Sequence, residues 1–342
     1  NKFVADDYAI VMGSSHCEQM LRNNVDEWDE KEYGQWSYLD NKANLLRYWD
    51  KRVEANGKFE NIYTLGMRAI HDSAMPDGKT TAERVAIIDS IIKDQRAMLA
   101  KWVNPDPSKV PQVFIPYKEV LDIYRGGLKV PEDVTIMWPD DNFGYIRRLP
   151  SAEESKRPGG SGIYYHISYW GSPHDYLWLC TTPPALIWEE MRKAYDYNAR
   201  NIWVVNVGDL KPGEIGMELF LQMGWDINRW NLGNIDKYLD AWATREFGPA
   251  NAPAIANVMK KYYALNFIRK PEHMGFYDKL SLAANNQDPE FSLFDYGDEA
   301  QKRLEEFDAL EKQAAAVYEK LPPEKQDAYY QLVLYPVIGS AE

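Results

Sequence analysis

The chain has 342 residues, 45% of them hydrophobic and 13% aromatic, with a formal net charge of −13. That length and apolar content build one large domain with a smaller one, or two medium ones, and exclude a disordered chain. The acidic balance argues against nucleic acid or an anionic membrane as a partner, although one or two local cations would still hold an acidic small substrate.

Six apolar runs of strand length recur, most of them followed by a helical pattern. The first is Tyr8 to Gly13, ending at Ser14-Ser15-His16-Cys17-Glu18. A helix is expected from near Asn41, with Leu45, Leu46, Trp49 and Val53 on one face and Asn56-Gly57 stopping it. The second strand, Ile62 to Met67, leads into Arg68 and then a helix opened by a Thr80-x-x-Glu83 capping box, with Val85, Ile88, Ile92, Leu99 and Trp102 as its stripe. The third, Gln112 to Ile115, precedes Lys118 and a short helix ending at Gly126-Gly127. The fifth, Gly162 to Tyr169, is followed by a helix entering through Pro183-Pro184. The sixth, Ile202 to Val207, runs into Gly208-Asp209-Leu210-Lys211. Past about Trp230 only helical patterns remain, the clearest being Ala300, Leu304, Phe307, Leu310, Ala314, Val317 and Leu321.

The fourth strand is the most informative. Val134 to Trp138 reads as buried on both faces, then breaks at Pro139 into Asp140-Asp141-Asn142 with Gly144 behind. Adjacent carboxylates raise one another's pKa, and the carboxyl end of a sheet strand is where catalytic groups collect. A solvated turn that merely stops the strand stands level with that reading.

Nearly all-apolar strands alternating with helices imply a parallel sheet with helices outside. Polar residues just past each strand fit a (β/α)8 TIM barrel followed by an all-α helical bundle. The barrel is expected over residues 1–232 and the bundle over 233–342. Six strands are two short of eight. With the abrupt start at Asn1-Lys2-Phe3-Val4, which is no signal peptide, this leads to the expectation that the first two β/α units lie upstream. No segment reaches the length of a membrane span.

Phosphate-loop, dinucleotide, serine-hydrolase and zincin motifs are missing. Cys17 and Cys180 are isolated, and neither a metal nor a cofactor is expected. Glu18 reads either as a first-turn helix carboxylate or as one of two carboxyl groups flanking a sugar, paired with Asp140 or Asp141. Arg68, Lys118 and Lys211 are cations able to hold a substrate carboxylate, and each could equally be a structural ion pair. His166 lies inside a strand, where a satisfied core histidine is the commoner case. Asn206 and Asp209 stand where a sugar hydroxyl could be bound. The 12 Trp and 23 Tyr are core or sugar platforms, with core the weightier reading.

The runs V-M-G-S-S-H-C-E-Q-M, T-L-G-M-R-A-I-H-D, V-P-E-D-V-T-I-M-W-P-D-D-N-F-G-Y, G-G-S-G-I-Y-Y-H-I-S-Y-W-G and I-W-V-V-N-V-G-D-L-K-P-G-E resemble glycoside hydrolase family 115. N-F-I-R-K-P-E and Y-Q-L-V-L-Y-P-V continue the match into the helical part. The resemblance implies a xylan α-1,2-glucuronidase that removes glucuronic acid or its 4-O-methyl ether by inverting hydrolysis. It further implies a xylan-derived oligosaccharide or polysaccharide as partner, a homodimer through the helical domain, and a secreted or periplasmic location. Carried over by position, it places catalytic roles on Glu18 and Asp141, with Asp140 as the alternative to Asp141. Substrate contacts fall to His16, Asn142, His166, Glu189 and Asn206. Cys17 and Gln19 replace a usual histidine and proline, and Ala69-Ile70-His71 replaces a usual glycine. Two rivals remain: a Mg²⁺-dependent lyase or isomerase using Glu18, Asp140 and Asp141, and a non-catalytic carbohydrate-binding scaffold.

Overall fold

The computed structural model describes residues 2–23, 28–169, 179–271 and 294–342. Trp170-Gly171 and Glu272 of the segments quoted above lie outside the described residues. The chain divides into two compact units: Asn1–Pro139 with Arg148–Tyr164 and Tyr197–Trp203, and Asp140–Arg147 with Tyr165–Asp196 and Val204–Glu342.

A five-stranded sheet runs in sequence order: β1 (Tyr63–Leu65), β2 (Gln112–Phe114), β3 (Thr135–Pro139), β4 (Ser161–His166) and β5 (Ala199–Asn206). The pairings of β1 with β2, β2 with β3 and β3 with β4 are parallel, with Thr64 opposite Val113, Phe114 opposite Ile136 and Trp138 opposite Ile163. A parallel sheet needs a crossover between strands; helices supply it from β1 to β2 (Thr81–Trp102), from β2 to β3 (Glu119–Arg125) and from β4 to β5 (Pro184–Asp196), whereas the β3-to-β4 connection holds only a 3-10 turn, Glu154–Lys156. The α/β reading therefore holds.

One expected strand is absent. Tyr8 closes a helix, α1 (Lys2–Tyr8), and the run after it contributes a single parallel bridge, Met12 to Asn61. Ala9 takes φ +51, outside the strand region, and Ile10 and Val11 are exposed at 51% and 48%, so nothing buries the run. The other strands sit where expected but are trimmed or shifted. β1 stops at Leu65 because Gly66 turns to φ +102.

In the first unit α2 (Glu30–Tyr33) is one turn, and α3 (Lys42–Asn56) buries Leu45, Trp49 and Val53 as its spacing predicts, while Leu46 is only half-buried. The helix α4 (Thr81–Trp102) carries the capping box complete: Glu83 N–H donates to the Thr80 hydroxyl, and the Glu83 carboxylate accepts from the Thr80 amide. Its buried residues are Ile87, Ile88, Ile91, Ile92, Gln95, Met98 and Leu99, so that Ile88, Ile92 and Leu99 of the predicted stripe are buried while Val85 and Trp102 are only half-buried. The short α5 (Glu119–Arg125) begins only at Glu119, since Lys118 sits at φ +50. Alternation along the strands separates two layers. Val113, Ile115, Met137 and Tyr164 join Tyr117 in one buried cluster, while the Tyr124 ring lies 6.3 Å from Phe114 and 5.8 Å from Trp138. Full burial of side chains of this size contributes about 2 kcal/mol each.

The second unit is mostly helical. It holds α6 (Pro184–Asp196) and α7 (Glu214–Trp225), which pack together. Then come α8 (Tyr238–Phe247), α9 (Ala252–Ile268), α10 (Asp295–Tyr318), α11 (Pro323–Tyr329) and α12 (Tyr335–Ala341). The heptad-like stripe of α10 is only partly inward: Phe307, Leu310 and Ala314 are buried, but Leu304 is 46% exposed. The α11 and α12 helices are joined through a π-helical turn, Tyr330–Leu334.

Candidate active site

Two polar clusters gather the predicted residues, one in each unit. In the first, the ring of His16 is buried against Tyr117, with centroids 4.2 Å apart, and edge-on to Tyr164. Its Nε2 lies 2.7 Å from Asp72 Oδ1 and its Nδ1 3.3 Å from the Tyr164 hydroxyl. Arg68, buried at 2% exposure, forks onto Glu119: Nε donates to Oε1 at 3.0 Å and Nη2 to Oε2 at 2.8 Å. Its remaining Nη1 donates to Asp72. Lys118 reaches the other Asp72 oxygen at 3.4 Å and stands 5.1 Å over the Tyr117 ring.

Burial pushes the Glu119 carboxyl upward, but the Arg68 hydrogen bonds and charge outweigh it and leave it below the usual carboxylate range. The Arg68 fork is thus spent inside the protein, which is the structural ion pair rather than an open anion clamp. Lys118 is the more accessible cation, at 38% exposure. Asp72 and Lys118 hold φ of +59 and +50, strained values that side chains adopt at about 1 kcal/mol or more each and that gather at functional sites.

In the second unit, Asp140 and Asp141 do different work. Asp140 is buried; its Oδ1 lies 2.6 Å from His166 Nδ1 and its Oδ2 accepts from Gly144 N–H at 3.0 Å. Burial raises its pKa, with the His166 contact working against that rise. Asp141 closes the turn: Oδ1 accepts from Phe143 N–H at 3.0 Å and Tyr145 N–H at 3.1 Å, and Oδ2 accepts from Arg147 Nε at 2.8 Å. Its side chain remains 22% exposed. Asn142 takes φ +69 and Gly144 φ +93. A side chain at Gly144 would meet the Tyr165 hydroxyl at 3.1 Å and Leu186 at 3.2 Å, so the positive φ favours glycine and the close neighbours leave little room for anything larger. The Tyr165 hydroxyl donates to Gly144 O at 2.8 Å, Lys270 Nζ to Phe143 O at 3.2 Å, and Ile146 N–H to Glu190 at 2.7 Å.

The other predicted residues are more scattered. Glu18 is half-buried, accepts from the Ser15 hydroxyl at 3.3 Å, and lines a cavity of about 90 Å³ with Arg22, Arg52 and Asn61. The exposed Glu189 lies beside the buried Glu190, and it is Glu190 that holds the acid turn. The carbonyl of Asn206 accepts from Ile167 N–H at 3.1 Å. Asp209 is exposed, and Lys211 pairs with Glu214 at 2.9 Å.

Sequence reasoning passed over Asp72, Glu119 and Glu190. The Arg68–Asp72 spacing of four was the one readable signal. His16, Cys17 and Asp72 offer ligand atoms within 4.8 Å of one another, the kind of set that can hold a metal ion. Arg68 and Lys118 already neutralise the Asp72 carboxylate, which works against a dication there.

The protein-family model of glycosyl hydrolase family 115 matches residues 1–273. The chain belongs to glycosyl hydrolase family 115. A solved structure described as a family 115 4-O-methyl-alpha-glucuronidase with specificity for decorated arabinogalactans superposes on it with a TM-score of 0.90 at 43% sequence identity. All of this chain is covered by the superposition, but it spans only 45% of that protein's length. None of the curated proteins compared with the chain matches it.

Proposed function

We propose that this family 115 chain contributes the catalytic part of an α-glucuronidase that releases glucuronic acid or its 4-O-methyl ether from a polysaccharide branch. The observation that carries this is the 43% identical relative described as a 4-O-methyl-alpha-glucuronidase. In this reading residues 1–232 form part of a (β/α)8 barrel and 233–342 a helical bundle that serves a homodimer. Parallel strands paired in sequence order support it, since successive β/α units give that order. The location follows the family: secreted or periplasmic.

Inverting hydrolysis needs one carboxyl to protonate the leaving oxygen and another to direct water. Asp141 is the candidate base, because its side chain reaches solvent while the Phe143 and Tyr145 amides and the Arg147 guanidinium donate to its carboxylate. Asp140 is a positioning residue that fixes Gly144 and His166. Glu18, or a carboxylate outside this chain, is the acid.

Two substrates stand side by side. The sequence resemblance points to α-1,2-linked branches on xylan. The specificity of the solved relative favours decorated arabinogalactan. The test is uronic acid release from an aldouronic acid and from decorated arabinogalactan by the full-length protein. Asp141→Asn and Glu18→Gln should each slow release by about a hundredfold or more. Near-full activity in both variants would sink the assignment. Loss of activity in EDTA would favour the metal-dependent lyase or isomerase instead.

A further inference from the structure

The segment Tyr329 to Val337, Y-Y-Q-L-V-L-Y-P-V, carries a proline inside a helical run. Pro336 has no N–H, and its ring crowds the carbonyl four residues back, that of Leu332. The helix answers with the π turn at Tyr330–Leu334, closed by Tyr335 N–H donating to Tyr330 O, a bond five residues long. Such turns often mark functional sites.

The turn has a geometric result. In a regular α-helix, residues five apart point about 140° away from each other. The wider π turn closes that angle, and the Tyr330 and Tyr335 rings stand 6.2 Å apart with planes inclined at 48°. Both are exposed, at 44% and 38%, while Leu332, Val333, Leu334 and Val337 turn inward and are buried. The two rings line a pocket of about 560 Å³ with Gln331 and the post-β5 loop Asp209, Leu210, Lys211 and Pro212. Two tilted rings together with an amide, a carboxylate and an ammonium group give this lining both apolar planes and hydrogen-bonding groups. Membranes and nucleic acids are poor matches for it. Pyranose rings match well: their C–H faces lie on aromatic planes and their hydroxyls reach outward.

We propose that this pocket binds a neutral pyranose segment of a polysaccharide. Tyr330 and Tyr335 serve as the stacking platform, and Asp209, Lys211 and Gln331 contact the hydroxyls. The inference deepens the glucuronidase reading by assigning a place for the backbone that bears the acidic branch. The inclination of the two rings suits consecutive sugars of a twisted chain, whose faces are themselves rotated from one to the next.

The experiment is calorimetric titration of the full chain with two uncharged probes, xylohexaose and a galacto-oligosaccharide, which separate the two backbone sources. Saturable binding of at least one is expected. Tyr330→Ala and Tyr335→Ala should each weaken it about fivefold or more, whereas Tyr335→Phe, which keeps the ring plane, should stay within about twofold. In kinetics, the Ala variants should raise KM for the polysaccharide far more than KM for a small aryl glucuronide. Failure of both probes to bind, or equal binding by wild type and both Ala variants, overturns the site. If the protein releases uronic acid but the Ala variants bind normally, the subsite fails and the activity stands. If binding depends on the tyrosines but no uronic acid is released from any branched substrate, the subsite stands and the activity fails.

Discussion

Two histidine–aspartate pairs of nearly equal length occupy this molecule, His16 with Asp72 at 2.7 Å and His166 with Asp140 at 2.6 Å. Their surroundings separate them. Asp72 is 35% exposed and also takes Arg68 and Lys118, so three basic side chains converge on one carboxylate. Asp140 and His166 have side chains exposed at 0% and 2%, and the remaining Asp140 oxygen is committed to a loop amide. Distance alone does not tell what a pair is for. Exposure and the count of neighbouring charges do: the open pair sits in a charge network in which Lys118 is the accessible cation, and the sealed pair fixes a turn.

The sealed pair should be the costlier one to break. Asp140→Ala strips His166 and the Gly144 amide of a buried acceptor and should destabilise by about 3 kcal/mol in urea unfolding. Arg68→Met comes next, at about 2 kcal/mol, because Glu119 keeps some access to solvent. Arg68→Lys should recover only part of it, since an ammonium group cannot reproduce the fork.

The pH dependence separates the two regions by sign. The folded pKa of Asp140 lies above its unfolded value of about 3.9, so its stabilising contribution is full below that value and is lost as pH rises through the folded pKa. For Glu119 the folded pKa is lowered, so its contribution is present above the unfolded value and is lost as pH falls through the folded one. Urea midpoints measured from acid to neutral pH should lose their decline on the rising side in Asp140→Asn and their acid-side loss in Glu119→Gln. A parallel offset with unchanged slope would refute this account. The smallest effect belongs to Lys118→Ala: below about 0.5 kcal/mol in stability, as befits an exposed pair, but a raised KM if the open cluster holds the uronate.

Much of the frame was legible in the sequence because it is local. The stripe of α3, the capping box of α4 and the strand-to-turn break at Pro139 each depend on residues within one or two turns of each other. The first strand was misjudged for a reason the sequence hides: Tyr8 to Gly13 is apolar enough, but Ile10 and Val11 find no cover. Glu119 and Glu190 escaped notice because their partners are remote, Arg68 and Glu119 being 51 residues apart and Ile146 and Glu190 44, and Asp72 hid its contact with His16, 56 residues away, although its spacing of four from Arg68 was readable. Leu304 shows a different limit: it belongs to a regular helical pattern, yet it faces solvent. Asp140 and Asp141 could not be told apart by order alone. Only the burial of one and the exposure of the other distinguishes them.

The Lys270 bond to the Phe143 carbonyl joins residues 127 positions apart, just past the end of α9. Chain closure over that length is slow compared with forming a turn or a helix. The acid turn can therefore assemble its own amide contacts early in folding, while its final anchor waits for the chain beyond α9 to arrive. Translation imposes the same order, because the ribosome delivers Asp140 long before Lys270. The turn is provisional until then, and a nascent chain halted between the two would carry its carboxylates on an unanchored loop.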